Sequence, residues 1–505
     1  MCLAAPAGLL ACGCRSAARG PSGWPLASPA IPRFFEHDGV GLAELIRTRQ
    51  ITPGELVEET LRQVEALNPS INAVIQTLFD PQRARDRAAR ASGQGPLAGV
   101  PLMLKNLTGY RSARIDFGSR LYARARARGT GPRPRNSSVV SAIEGAGMIV
   151  TGITNSAELG LIDSTEPVLH GSTRNPWNPA YTAGGSSGGS AAVVAARIVP
   201  LAHGNDGAGS IRIPAAHCGV LGFKPSRGRE VGSGSSSAAL DISSEFCLSR
   251  SVRDTAAFLS VVEKREDSDL PPVGFVEGPS ARRLRIALWT HSLRGAPPDP
   301  EVERGVRSAA GLCEELGHAV EEAPPAIDGG EFMDAFIGLW ATATLRLEPL
   351  VAEWLGARTD PADVLEPWTV GLMTLAKQRG PAACILRAME AFAQVSARME
   401  ALFGDHDVLL SPVLRVPPFR LGVRDPTRDF GMLLERFLDD VAYTPLQNAA
   451  GMPGVSIPLH WTADGLPVGV QFSAWRGQER TLLELAYELE LARPWSGRTP
   501  PIAVR

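Results

Sequence analysis

Apolar positions along this chain follow two rhythms. After Thr52-Pro53-Gly54-Glu55, Val57, Leu61 and Val64 recur at i, i+4 and i+7, which is one face of a helix. Thr52 reads as the N-cap, Pro53 as the first helical residue and Glu55 as the acid of a capping box. Asn68-Pro69 predicts where that helix stops. Elsewhere the apolar residues run unbroken. Gly99-Val-Pro-Leu-Met-Leu-Lys105 and Met148-Ile-Val-Thr-Gly-Ile-Thr154 are short enough for buried strands, as are Leu284–Trp289 and Asp407–Ser411. Val455–Trp461 and Leu466–Phe472 flank Thr-Ala-Asp-Gly, a hairpin signal. Helical patterns lie between them: Ser190–Ala196, a stretch from Pro300, most of 330–405, and Gln478–Leu491. Strands alternating with helices predict an α/β protein with a largely buried central sheet.

Composition narrows the class. The 505 residues are 44% apolar and 21% charged, with a net charge of −2, so no surface-wide attraction for nucleic acid or anionic membrane is expected. The longest small-residue stretch is interrupted by Arg197 and Pro200, and no unbroken apolar run reaches the roughly 18–20 residues of a membrane span. Residues 1–30 are rich in Ala, Gly, Pro and Ser. Leu9-Leu10-Ala11-Cys12 resembles a lipoprotein cleavage box, but no Lys or Arg precedes it. A disordered leader, a misplaced start and export therefore all stay open. Cytoplasmic residence is the expectation, with an exported lipoprotein anchored at Cys12 as the alternative. Cys2, Cys12 and Cys14 crowd the N-terminus, whereas Cys218, Cys247, Cys313 and Cys384 are far apart without C-x-x-C or metal-ligand spacing. Buried free thiols are expected, with no metal site and no cofactor.

The cations are skewed. Of 51 Lys and Arg, only residues 105, 224, 264 and 377 are lysine. Where arginine serves every ordinary purpose, a lysine stands out for its ability to lose a proton. Lys105 ends an apolar run, and burial there would lower its pKa towards the range of a general base. Downstream lie two glycine- and serine-rich loops, Gly184-Gly-Ser-Ser-Gly-Gly-Ser190 and His203-Gly-Asn-Asp-Gly-Ala-Gly-Ser-Ile-Arg-Ile-Pro-Ala215. Glycines this dense mark close backbone approach or positive φ, and their amides can converge on an anion. A phosphate loop fails on spacing, since neither G-x-x-x-x-G-K-[ST] nor a strand–G-x-G-x-x-G–helix unit is present. Gly184–Gly188 fits G-x-S-x-G formally, yet a loop precedes it rather than the strand a nucleophile elbow needs. No lysine sits three places after a serine. A serine activated by lysine remains.

These motifs resemble the amidase signature family, from about residue 34 to Pro501. By that resemblance Ser210 is the nucleophile, Ser186 the relaying serine after a cis peptide from Gly185, and Lys105 the base. Amides of Gly207, Ala208, Gly209 and Ser210 are implied as the oxyanion hole. Asp206 and Arg212 are expected to pair and brace the loop, and Ser187 to orient Ser186. The implied fold is one large α/β domain, residues 31–505, with a mixed twisted sheet covered by helices on both faces. Its catalytic core is expected at about 95–260, with a helical substrate-covering region at about 326–440. Phe332, Phe336, Trp340, Trp354, Trp368 and Phe437 are pocket candidates there, although aromatic residues at helical spacing more often form plain core. His203, His217 and His460 are not needed by the lysine scheme. The chain departs from the family's commoner Thr-Asp-Thr-Gly-Gly-Ser by reading Asn-Asp-Gly-Ala-Gly-Ser over 205–210, and Asn106 stands where Asp is commoner.

Asp163-Ser-Thr-Glu-Pro, Gly171-Ser-Thr-Arg-Asn-Pro-Trp177, Phe223–Arg229 and Ala-Arg-Pro-Trp495 resemble the branch holding 6-aminohexanoate-cyclic-dimer hydrolase. The resemblance implies hydrolysis of a linear or cyclic amide of modest size. Ile213, where amidotransferase A subunits often carry Gln, argues against an obligate partner subunit; a homodimer stays open. Acyl transfer to an amine, or an inactive lipid-anchored binding protein, are the alternative readings.

Overall fold

The computed structural model describes residues 34–78, 95–235 and 238–504. The N-terminal segment of 1–30, with its Cys12 box, lies outside the described residues. Local signals dictate the first elements. Thr52 caps the helix Pro53–Ile71, and its hydroxyl and Glu55 form the reciprocal capping box. That helix does not stop at Asn68-Pro69 as the sequence suggests. It continues to Ile71 and ends at Asn72 in the left-handed region. The Asn68 side chain explains the extension: its Oδ1 accepts from the amides of Ala73 and Val74, and its Nδ2 donates to Val74.

The strands are β1 (Val74–Thr77), β2 (Pro101–Lys105), β3 (Ile149–Thr154), β4 (Arg174–Asn175), β5 (Asn178–Thr182), β6 (Leu201–Asp206), β7 (Leu221–Lys224), β8 (Ser244–Ser249), β9 (Arg285–Leu288), β10 (Ala319–Glu322), β11 (Val408–Pro412), β12 (Gly454–Trp461) and β13 (Pro467–Ser473). Among the described residues, eleven of them form one sheet in the order β1-β3-β2-β6-β8-β7-β12-β13-β11-β9-β10. β2 runs parallel to both β3 and β6, whereas β6 and β8 are antiparallel with Asn205 opposite Glu245. The sheet is therefore mixed, and β2, β3 and β6 are almost wholly buried.

All eight residues of the helix Gly188–Ala195 are buried, as expected for a helix apolar on every side. Its glycines permit close contact: a Cβ on Gly189 would lie 2.5 Å from the backbone of Asn155. A second core gathers Phe332, Phe336, Trp368, Phe392 and Phe437 from helices in 329–440, and reaches Ala208 and Ile213 beside the serine loop. Gly329–Leu355 is long and apolar enough by composition to cross a membrane, a stretch that a search for unbroken apolar runs passes over. Here it folds as two helices, Gly329–Thr342 and Leu347–Leu355, whose Phe332, Phe336, Leu347 and Val351 are buried in the protein.

Candidate active site

Lys105 is the last residue of β2 and has no solvent exposure. Its Nζ lies 2.7 Å from Ser186 Oγ and 2.5 Å from Asn205 Oδ1. Burial pushes its pKa down from 10.5 to about 7, against the opposing pull of Asp206 and Glu245. A neutral amine this close to a hydroxyl can take its proton.

The Gly185–Ser186 peptide is cis. Gly185 packs so tightly on Ser164 that a Cβ would sit 2.6 Å from its carbonyl, so no larger residue fits. Ser187 joins the two loops. Its amide donates to the Ser210 carbonyl at 3.3 Å, and its hydroxyl donates to the Asn205 carbonyl at 3.4 Å. Ser210 follows β6 just before the helix Arg212–Cys218, and it is nearly buried.

Asp206 and Arg212 pair as expected, through two bonds of 2.9 Å, and neither is exposed. Burial pushes the Asp206 carboxyl up, but Arg212, Lys224 and Asn448 more than reverse this and hold it well below the usual carboxylate range. The guanidinium also donates to Gln447, Gln471 and Asn448 and to the Thr444 carbonyl. These partners are 232–259 residues away, a tertiary brace that spacing gives no sign of.

One expected oxyanion donor is already occupied. The Gly209 amide donates to Asp206 Oδ1 at 2.7 Å, because Gly209 has φ of +120° and its N–H turns inward to the carboxylate. Gly207, Ala208 and Ser210 retain that candidacy. Gly209 is also confined, since a Cβ would meet Thr444 Oγ1 at 2.4 Å.

Of the aromatic candidates, Phe332, Phe336, Trp368 and Phe437 are core side chains. Trp354 belongs elsewhere, edge-on to Tyr122 at 5.2 Å in a small separate cluster. Trp340 is the one of the six whose ring covers the serine loop, 2.9 Å from where a Gly207 Cβ would be. Its indole N–H donates to the Leu161 carbonyl. His203 faces Glu245 at 3.5 Å, His460 pairs with Glu301 at 3.1 Å, and His217 is buried against Phe419. Burial lowers His217 to about 3, so it stays neutral. Cys218, Cys247, Cys313 and Cys384 are buried free thiols.

Known proteins match along most of the chain. The family model described as Amidase covers residues 55–483. A Mycobacterium tuberculosis (strain H37Rv) protein carrying the amidase name AmiC is 40% identical over 471 residues, spanning 91% of this chain and 95% of the relative. The 6-aminohexanoate-cyclic-dimer hydrolase of Pseudomonas sp. (strain NK87) is 36% identical over 491 residues, spanning 92% and 96%. A solved structure of 6-aminohexanoate cyclic dimer hydrolase complexed with substrate superposes with a TM-score of 0.82 at 33% identity, covering 93% of this chain and 100% of that one. Fold and relatives together define an amide-hydrolysing enzyme. The chain belongs to the amidase family.

Proposed function

We propose that this enzyme hydrolyses a small carboxamide through an acyl-enzyme on Ser210, with Ser186 relaying the proton to Lys105. The observation that carries the reading is a fully buried lysine, lowered to about 7, at 2.7 Å from the Ser186 hydroxyl. In the first step neutral Lys105 takes the Ser186 proton, Ser186 takes the Ser210 proton, and Ser210 Oγ attacks the carbonyl carbon. The amides of Gly207, Ala208 and Ser210 are the remaining donors for the oxyanion. The relay then returns a proton to the departing amine, and water cleaves the ester.

For the substrate, a linear or cyclic amide of modest size is supported by the names of two relatives, a cyclic-dimer hydrolase and an acylamidase. The helical region 326–440 is read as the substrate cover, with Trp340 as the wall nearest the serine loop. The enzyme is expected to act in the cytoplasm without an obligate partner subunit. Membrane fractionation tests the alternative anchor at Cys12, and sedimentation tests a homodimer.

An alkyl fluorophosphonate should label Ser210, and Ser210→Ala should abolish both labelling and amide turnover. A panel of linear and cyclic amides, with the products identified, separates hydrolysis from transfer to an amine. Turnover surviving in Ser210→Ala, or wild-type rates at neutral pH in Lys105→Ala, would overturn this reading.

A further inference from the structure

Lys105 Nζ has two close oxygen partners, and the proton relay uses only Ser186. The second, Asn205 Oδ1, is the shorter contact at 2.5 Å. Asn205 occupies the penultimate position of β6, beside the end of β2, where its side chain reaches the lysine from the neighbouring strand.

We infer that Asn205 is a positioning residue for the base, its amide oxygen fixing one N–H of Lys105 so that the lone pair can face Ser186. This rests on Lys105 acting as the base. An amide oxygen only accepts, so the neutral amine must turn one of its two N–H bonds towards it. The lone pair is thereby kept off Asn205. When the Ser186 proton arrives, the lone pair becomes a third N–H bond and the contact to Asn205 persists. The site therefore needs no reorientation as the charge forms.

The neutrality of Asn205 matters as much as its reach. The charged groups near Lys105 already have partners of their own. Asp206 on β6 is paired with Arg212, and Glu245 on β8 lies 3.5 Å from His203 and accepts from Thr108. Asn106, next in sequence, is bonded to Asp116. A carboxylate in place of the Asn205 amide would be the closest anion to Lys105 and would hold the amine protonated. Burial keeps the amine near 7 only while its direct partners are uncharged.

The test is the rate at which an alkyl fluorophosphonate labels Ser210 as a function of pH, followed by intact mass. Asn205→Asp should move the acid limb to higher pH by about 1–3 units, so labelling falls about tenfold or more at neutral pH and recovers in alkali. Asn205→Ala should lower the rate about 10–100-fold at every pH. Asn205→Thr, which restores an acceptor oxygen, should recover part of that loss. An unmoved acid limb in Asn205→Asp, or a rate within about twofold of wild type in Asn205→Ala, overturns the inference. The Asp and Thr variants keep size and polarity, so the pH comparison stands even if the Ala variant fails to fold. Lys105→Ala is measured alongside. Wild-type labelling there removes the base assignment itself, whereas a silent Lys105→Ala with an unmoved Asn205→Asp profile removes only the role of Asn205.

Discussion

Replacing Lys105 by methionine separates the energetic burden of a buried amine from its chemistry. The side chain is wholly enclosed, and burial lowers its pKa from 10.5 to about 7. At about 1.36 kcal/mol per pH unit, that depression amounts to about 5 kcal/mol of folding free energy. Between about 7 and 10.5 the unfolded chain carries the proton and the folded chain does not. Stability therefore rises with pH through that window, the full penalty being present below it and absent above it. Linkage gives a penalty of about 4 kcal/mol at pH ~7 and about 2 kcal/mol at pH ~9. Methionine has a similar length and no titrating proton, so the variant escapes both. It also leaves Ser186 and Asn205 without their shared partner, a loss of about 1–3 kcal/mol that is the same at either pH. Lys224 titrates in both proteins and cancels in their difference. Lys105→Met should thus be inactive yet more stable than wild type at neutral pH by about 1–3 kcal/mol, with that gain falling by about 2 kcal/mol at pH ~9. Urea unfolding of both proteins at the two pH values measures it. Unfolding curves separated by the same free energy at both pH values would refute a neutral, desolvated Lys105.

Two further substitutions probe the serine loop. Gly209→Ala places a Cβ 2.4 Å from Thr444 Oγ1 at a φ of +120°. It should lower fluorophosphonate labelling of Ser210 by about 10²–10³-fold, and wild-type labelling would show that the loop tolerates displacement. Trp340→Ala removes the ring that covers Gly207. It should raise kcat/KM for longer acyl chains over acetyl amides by about tenfold per accommodated methylene, and an unchanged ranking across a chain-length series would exclude Trp340 from the acyl site.

The chain's local order carried much of this protein by itself. The capping box at Thr52, the apolar strands ending at Lys105 and Thr154, and the hairpin of β12 and β13 rest on contacts between near neighbours. Such patterns survive in one dimension because a capping box or a hairpin turn spans only a few residues, and a strand covered on both faces is an unbroken apolar run. The glycine-rich loops are equally legible, since Gly185 and Gly189 stand where the backbone of Ser164 or Asn155 leaves no room for a Cβ. Only the folded molecule decided what those elements meet. Asn205 stands opposite Glu245 because β6 pairs with β8 across forty residues, and a period along one strand says nothing about its neighbour. Arg212 finds Gln447 and Gln471 on distant elements, while Trp354 and Trp340 diverge into separate clusters although both sit in the same helical region. The direction of the Gly209 amide was likewise hidden. Glycine admits either sign of φ, and it is the buried Asp206 carboxylate that draws its N–H inward.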